Sequence, residues 1–115
     1  MRIMEISPST TPKFNAGIKY DSNKLRMGEM IKDFKVPLES LCEVWTFGAN
    51  KYEKSNWKLL DNGIDRYTNA LVRHLVAEED CMYDDESKLL HASHIAFNAL
   101  ARLYFIIKEI QDKKL

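Results

Sequence analysis

The stretch LLHASHIAFNAL, residues 89–100, sets His91, His94 and Asn98 into an otherwise apolar run. The chain has three histidines, and two of them stand here one helical turn apart. At about 100° per residue these three polar side chains fall within roughly 60° of one another, and Arg102 continues their stripe. Imidazole titrates close to physiological pH and ligates transition metals, so the stripe is either the lining of an internal site or the solvated face of the helix. The third histidine, His74, shares a stripe with Glu78, Tyr67, Ala70, Leu71 and Ala77. Burying an imidazole and a carboxylate costs free energy unless they are paired, hydrogen-bonded or bound to metal. An i,i+4 His74–Glu78 pair is one way to meet that cost, and a ligand or metal site is another. The acidic turn YDDE (83–86) joins the two segments, and residues flanking the connection of an antiparallel helix pair converge at one end.

Three helices must position these groups. Pro37 suits a first helical turn and Glu39 complements the dipole there, so the first helix is expected to start at Pro37. Leu38, Leu41, Trp45, Gly48 and Tyr52 form its apolar face, with Glu39, Glu43, Thr46 and Asn50 opposite. Glu43 is a weak site candidate, since it projects onto that polar face. EKSNWKLLDNG (53–63) reads as a loop, and a second helix spans about Asp65 to Glu79. Asp84 or Asp85 is a suitable N-cap for a third helix from about Glu86 to Ile110. That helix is hydrophobic almost all round, which in so short a chain implies packing against another subunit. No stretch alternates with period two long enough for a strand. The class expected is all-α, with residues 1–16 as a flexible extended arm and 17–115 as one domain.

Lys plus Arg and Asp plus Glu are equal at 17 each, so no long-range field draws in a duplex or an anionic membrane. A small polyanion such as a nucleotide needs only a few local cations. Cys42 and Cys81 show no C-x-x-C spacing, which suits a reducing cytoplasm better than a disulfide framework. No apolar stretch is long and unbroken enough for a signal peptide or a membrane span.

GIKYDSNKLRM (17–27), TFGANKYEKSNW (46–57), RYTNALVRHLVAEED (66–80) and DDESKLLHASHIAFNALA (84–101) together resemble the phage-associated dATP/dGTP diphosphohydrolase, or MazZ-like, family, which is grouped with the all-α MazG-type nucleoside triphosphate pyrophosphatases. The likeness covers about residues 17–105. It implies an oligomeric MazG-like helical bundle, a dimer or tetramer, in the cytoplasm of the host. It also implies purine deoxynucleotide binding, a divalent metal (magnesium or manganese), and hydrolysis of dATP or dGTP to the monophosphate and pyrophosphate. The matching residues are Gly17, Lys19, Asp21, Lys24 and Arg26, then Gly48, Lys51, Tyr52, Asn56 and Trp57, and on the helices Arg73, His74, Glu78, Asp85, Ser87, His91, His94 and Asn98. Where MazG-type enzymes carry E-E-x-x-E and E-x-x-D, this chain carries RHLVAE and HASH, a site poor in the oxygen ligands that magnesium prefers.

On that resemblance, His74, Glu78, His91 and His94 are the expected catalytic groups, and Glu78, Asp85, His91 and His94 the expected metal ligands. Lys24, Arg26 and Lys51 are assigned to phosphate oxygens, with Arg73 and Arg102 in reserve. Lys19, Tyr52, Asn56, Trp57 and Asn98 complete the substrate-binding set, Trp57 or Tyr52 stacking on the purine. The competing expectation is a phage protein of the same fold that binds or sequesters a nucleotide without turning it over.

Overall fold

The computed structural model describes residues 23–51 and 56–114. Its elements, in chain order, are α1 (Met27–Asp33), α2 (Lys35–Lys51), a 3-10 turn (Asn56–Leu59), α3 (Gly63–Glu78) and α4 (His91–Lys113). The fold class is all-α, as expected. Among the described residues the one β feature is an isolated antiparallel bridge between Tyr83 and Leu90. No helix is long and apolar enough to cross a membrane among these residues.

The chain divides after Phe34 into two compact units. In the first, α1 is a short helix in a stretch to which the sequence analysis assigned no element. Arg26 precedes it and donates from Nε and Nη2 to the two carboxylate oxygens of Glu29 on the first turn. The remaining helices belong to the second unit, in which α3 and α4 form the main pair and α2 packs on α4.

α2 begins two residues before Pro37, which therefore occupies the first turn, where its missing N–H needs no partner. Its buried face is rotated from the expected one. Val44 is the buried residue and Phe47 is half-buried, whereas Trp45 is exposed. The cause is the small hydroxyl contact between Ser40 and Ser93, which sets α2 against α4 on the Ser40–Val44–Phe47 side.

α3 starts at Gly63, directly after Asn62 in the left-handed region with φ 57°. Asparagine tolerates that conformation, which turns the chain out of the 3-10 segment. Gly63 is buried, and a Cβ added there would lie 2.6 Å from the Phe105 ring. Its lack of a side chain is what lets α3 close on α4.

α4 starts at His91, five residues later than the expected Glu86, and neither Asp84 nor Asp85 caps it. Lys88 has φ 65°, which breaks any helix running through 86–90. Asp84 caps a tight turn instead, accepting from the Ser87 N–H and hydroxyl at 2.8 Å each. Backbone bonds from Asp84 N–H to Leu89 O and from His91 N–H to Met82 O, both 2.8 Å, close the connection into a small loop.

Full burial of hydrophobic side chains is confined to Val44 and Ala101 among the described residues. Val72, Leu75 and Val76 on α3 and Leu100 and Leu103 on α4 are about half exposed. The outer surfaces of the helix pair are therefore apolar.

Gly63→Ala should destabilise the second unit by about 1–3 kcal/mol, overpacking against Phe105 outweighing the gain in helix propensity. Urea unfolding measures it. The loss should shrink when Phe105→Leu is made in the same chain.

Candidate active site

The three histidines meet where α3 faces the start of α4. His74 Nδ1 lies 2.9 Å from His91 Nδ1, and the His74 and His94 rings stack in parallel, 4.4 Å between centroids and 4° between planes. The 82–91 loop lowers Asp84 onto this group. Ser87 Oγ is 2.8 Å from Asp84 Oδ2 and 2.7 Å from His94 Nε2. The stripe on α4 is therefore internal. His91 and Asn98 are buried, and Arg102 donates from Nε to Thr68 Oγ1 of α3 at 2.7 Å.

These contacts fix the proton positions. A carboxylate accepts, so the Ser87 hydroxyl donates to Asp84 and must accept from His94, whose proton is then on Nε2. Ser87 is thereby unsuited to nucleophilic attack, because its partner base is a weakly basic carboxylate and the imidazole points a proton at it. Between His74 and His91 one Nδ1 donates and the other accepts.

Burial, and next the adjacent His94 ring, hold His74 below the ordinary imidazole value of 6.5, with Asp84 opposing. Burial likewise lowers His94, again against the pull of Asp84. For Asp84, burial works toward a higher pKa, but the two hydrogen bonds from Ser87 and the neighbouring imidazoles outweigh it and the net shift is downward. At neutral pH His74 and His94 are thus neutral imidazoles beside an ionised Asp84.

Ligand atoms of His74, Asp84 and His91 lie within 4.8 Å of one another, the grouping able to hold a metal among the described residues. Two imidazole nitrogens bound to one ion at about 2.1 Å sit about 3 Å apart at right angles, close to the His74–His91 spacing. Two imidazoles and one carboxylate fit a transition ion such as manganese better than magnesium.

The expected site residues fall into three groups. His74, His91 and His94 converge, and Asn98 and Trp57 line a cavity next to them together with Lys51 and Asn56. Lys51 pairs with Glu86 and lies 5.9 Å from the Phe47 ring centroid. Glu78 is half-buried, but no described hydrogen bond or ion pair joins it to His74, whose partner is His91 instead. Asp85 is exposed, and its neighbour Asp84 is the carboxylate turned inward. Arg73 is exposed on α3, as is Glu43 on α2. Lys24 and Arg26 belong to the first unit and are exposed. Gly17, Lys19, Asp21 and Tyr52 lie outside the described residues.

Asp84 was not singled out as a site group from the sequence, where it stood as a candidate helix cap and as part of the acidic turn YDDE. The signal was the Asp84-x-x-Ser87 spacing, which favours a side-chain-capped turn as readily as a helix start.

The cavity holds about 510 Å³ and is walled by α2, Trp57, α3 and α4. The all-α second unit thus sets an imidazole–carboxylate cluster beside a ring-lined cavity. The chain belongs to the family described as dATP/dGTP diphosphohydrolase, N-terminal, whose model matches residues 14–114. No curated protein and no solved structure matches it.

The depressed imidazoles set the sign of the pH response. Above the unfolded value near 6.5 both states carry neutral imidazoles and their contribution to stability is fully present. As pH falls the unfolded chain takes up protons first, so stability is lost down through the folded values. Asp84 adds a second loss at lower pH, where its carboxylate is titrated. In EDTA, the urea midpoint should fall between about pH 7.5 and about pH 5, and replacing His74 and His94 together by Gln should flatten that slope.

Proposed function

We propose that this chain hydrolyses purine deoxynucleoside triphosphates, dATP and dGTP, to the monophosphate and pyrophosphate at the His74–His91–His94–Asp84 cluster. The observation that carries the reading is the convergence of all three histidines on one carboxylate beside a ring-lined cavity, in a chain whose family is described by those two substrates. The all-α architecture supports kinship with MazG-type pyrophosphatases. The proposed setting is the cytoplasm of a phage-infected cell, where deoxynucleotide pools are reshaped.

Such cleavage needs an activated water, charge neutralisation on the phosphates and firm positioning. A neutral imidazole can accept a proton from water, and His74, held neutral by burial, is placed to do so when the site holds no metal, with His91 sharing the charge through its Nδ1. His74, His91 and Asp84 would hold a divalent transition ion, manganese in preference to magnesium, and with it come Lewis acidity and a more acidic bound water. This set retains His91 from the one expected on the resemblance and exchanges Glu78, Asp85 and His94 for His74 and Asp84. His94, its Nε2 proton committed to Ser87, orients the loop that carries Asp84. Lys51 and Arg66 border the cavity and are placed to take phosphate oxygens, the former by exchanging Glu86 for the ligand.

The half-exposed apolar faces of α3 and α4 are proposed to be covered by a second copy of the chain. Among the described residues the buried hydrophobic side chains are Val44 and Ala101, a smaller core than a folded polypeptide of this size normally has. Val76→Lys combined with Leu103→Lys should convert the assembly to monomers in sedimentation experiments, while an unchanged mass would count against the pairing.

Pyrophosphate release from dGTP and dATP with manganese tests the activity. Turnover should fall by about 100-fold or more in His91→Ala and in Asp84→Asn, with the chain still folded by circular dichroism. Nucleotide retention without pyrophosphate release by the unaltered protein would overturn hydrolysis in favour of sequestration.

A further inference from the structure

The cavity beside the imidazoles contains a group that the chemistry above does not use. Asn98 is 6% exposed and lines the cavity, and its Nδ2 is buried with no hydrogen-bond partner in the described structure. Buried polar groups in folded proteins are almost always paired, because leaving one unpaired forfeits its hydration without return. A lone buried donor at a cavity wall is therefore placed for an acceptor that arrives with a ligand.

The rings around it describe that ligand. Phe47, Trp57, Tyr67 and Phe97 wall the same cavity, and Trp57 is locked edge-on against Tyr104, with centroids 4.9 Å apart. The volume of about 510 Å³ falls within the range of about 300–1,000 Å³ usual for small-molecule pockets. Ring faces on the walls and one amide donor favour a flat aromatic heterocycle with an acceptor on its edge. His94, one helical turn from Asn98 on α4, lines the same cavity and stacks on His74, which joins the cavity to the imidazole cluster.

We infer that Asn98 is the base-reading residue of the site and that its Nδ2 donates to N7 of a purine held among Phe47, Trp57, Tyr67 and Phe97; this rests on the triphosphate reading of the imidazole cluster. Adenine and guanine share few acceptors. O6 belongs to guanine alone, whereas N7 is an acceptor on both and lies on the open edge away from the sugar. A single donor that serves dATP and dGTP alike is met by N7. In the common orientation of a purine nucleotide the N7–C8 side also faces the 5′ phosphates, which suits a donor one turn from the imidazoles. A site built around such a bond discriminates against an analogue that lacks the acceptor more strongly than an apolar wall discriminates by shape.

Binding is measured by calorimetry in EDTA, which removes turnover, with dGTP, 7-deaza-dGTP, dATP, 7-deaza-dATP and 3-deaza-dATP. The 7-deaza analogues should bind about tenfold to hundredfold more weakly than their parents, and 3-deaza-dATP like dATP. Asn98→Leu should bind parents and 7-deaza analogues equally weakly, while melting at the same or a higher temperature than the unaltered protein because an unpaired donor has been removed. Equal binding of 7-deaza and parent nucleotides by the unaltered protein would overturn the inference, as would a loss confined to 3-deaza-dATP. A separate assay of pyrophosphate release with manganese distinguishes the two readings. N7 discrimination without turnover overturns hydrolysis and retains the base site, and turnover without N7 discrimination does the reverse.

Discussion

An imidazole withdrawn from water has to be answered by a partner, and in this chain one short turn supplies the ionised group of the cluster. Asp84, capped by Ser87 and held by backbone bonds to Leu89, is the single carboxylate inside the cluster. Without it, stacked rings packed at the start of α4 would have no ionised acceptor, and their proton positions would be free to shuffle. With it, His94 is fixed as an Nε2 donor, and across the His74–His91 contact one Nδ1 donates to the lone pair of the other. The stacked arrangement also keeps the group from accumulating charge, since each imidazolium would disfavour the next.

The helices serve that arrangement in different ways. α3 and α4 bring the imidazoles together, and the absence of a side chain at Gly63 lets the far end of the pair close over Phe105. α2 supplies the cavity's opposite wall. The aromatic cluster of Trp57, Tyr67, Tyr104 and Phe105 joins the 3-10 turn to both helices.

Periodicity made the helices themselves legible. α3 was placed within two residues of its observed bounds, and the polar stripe of His91, His94, Asn98 and Arg102 proved to share one inward face. What periodicity could not show was the geometry between helices. Glu78 lies at the right spacing to pair with His74, but His91 approaches from the neighbouring helix and takes that place. Asp84 and Asp85 are indistinguishable as acidic residues in a turn until Lys88 adopts a left-handed conformation and decides which of them points inward. The face of α2 was misjudged for a similar reason. Trp45 carries more apolar surface than Val44, yet two small hydroxyl residues determine which side of the helix can come close.

The contact between Ser40 and Ser93 has its own consequence for the seam between α2 and α4. Where helices interlock through branched apolar side chains, separating them exposes surface that water solvates poorly, and the separation is steeply uphill. Two hydroxyls that part company can each be rehydrated at once, so little is lost. The wall formed by α2 is therefore seated against α4 by a polar contact as well as by the buried Val44, and the hydroxyl part of that seam costs less to part than the apolar part.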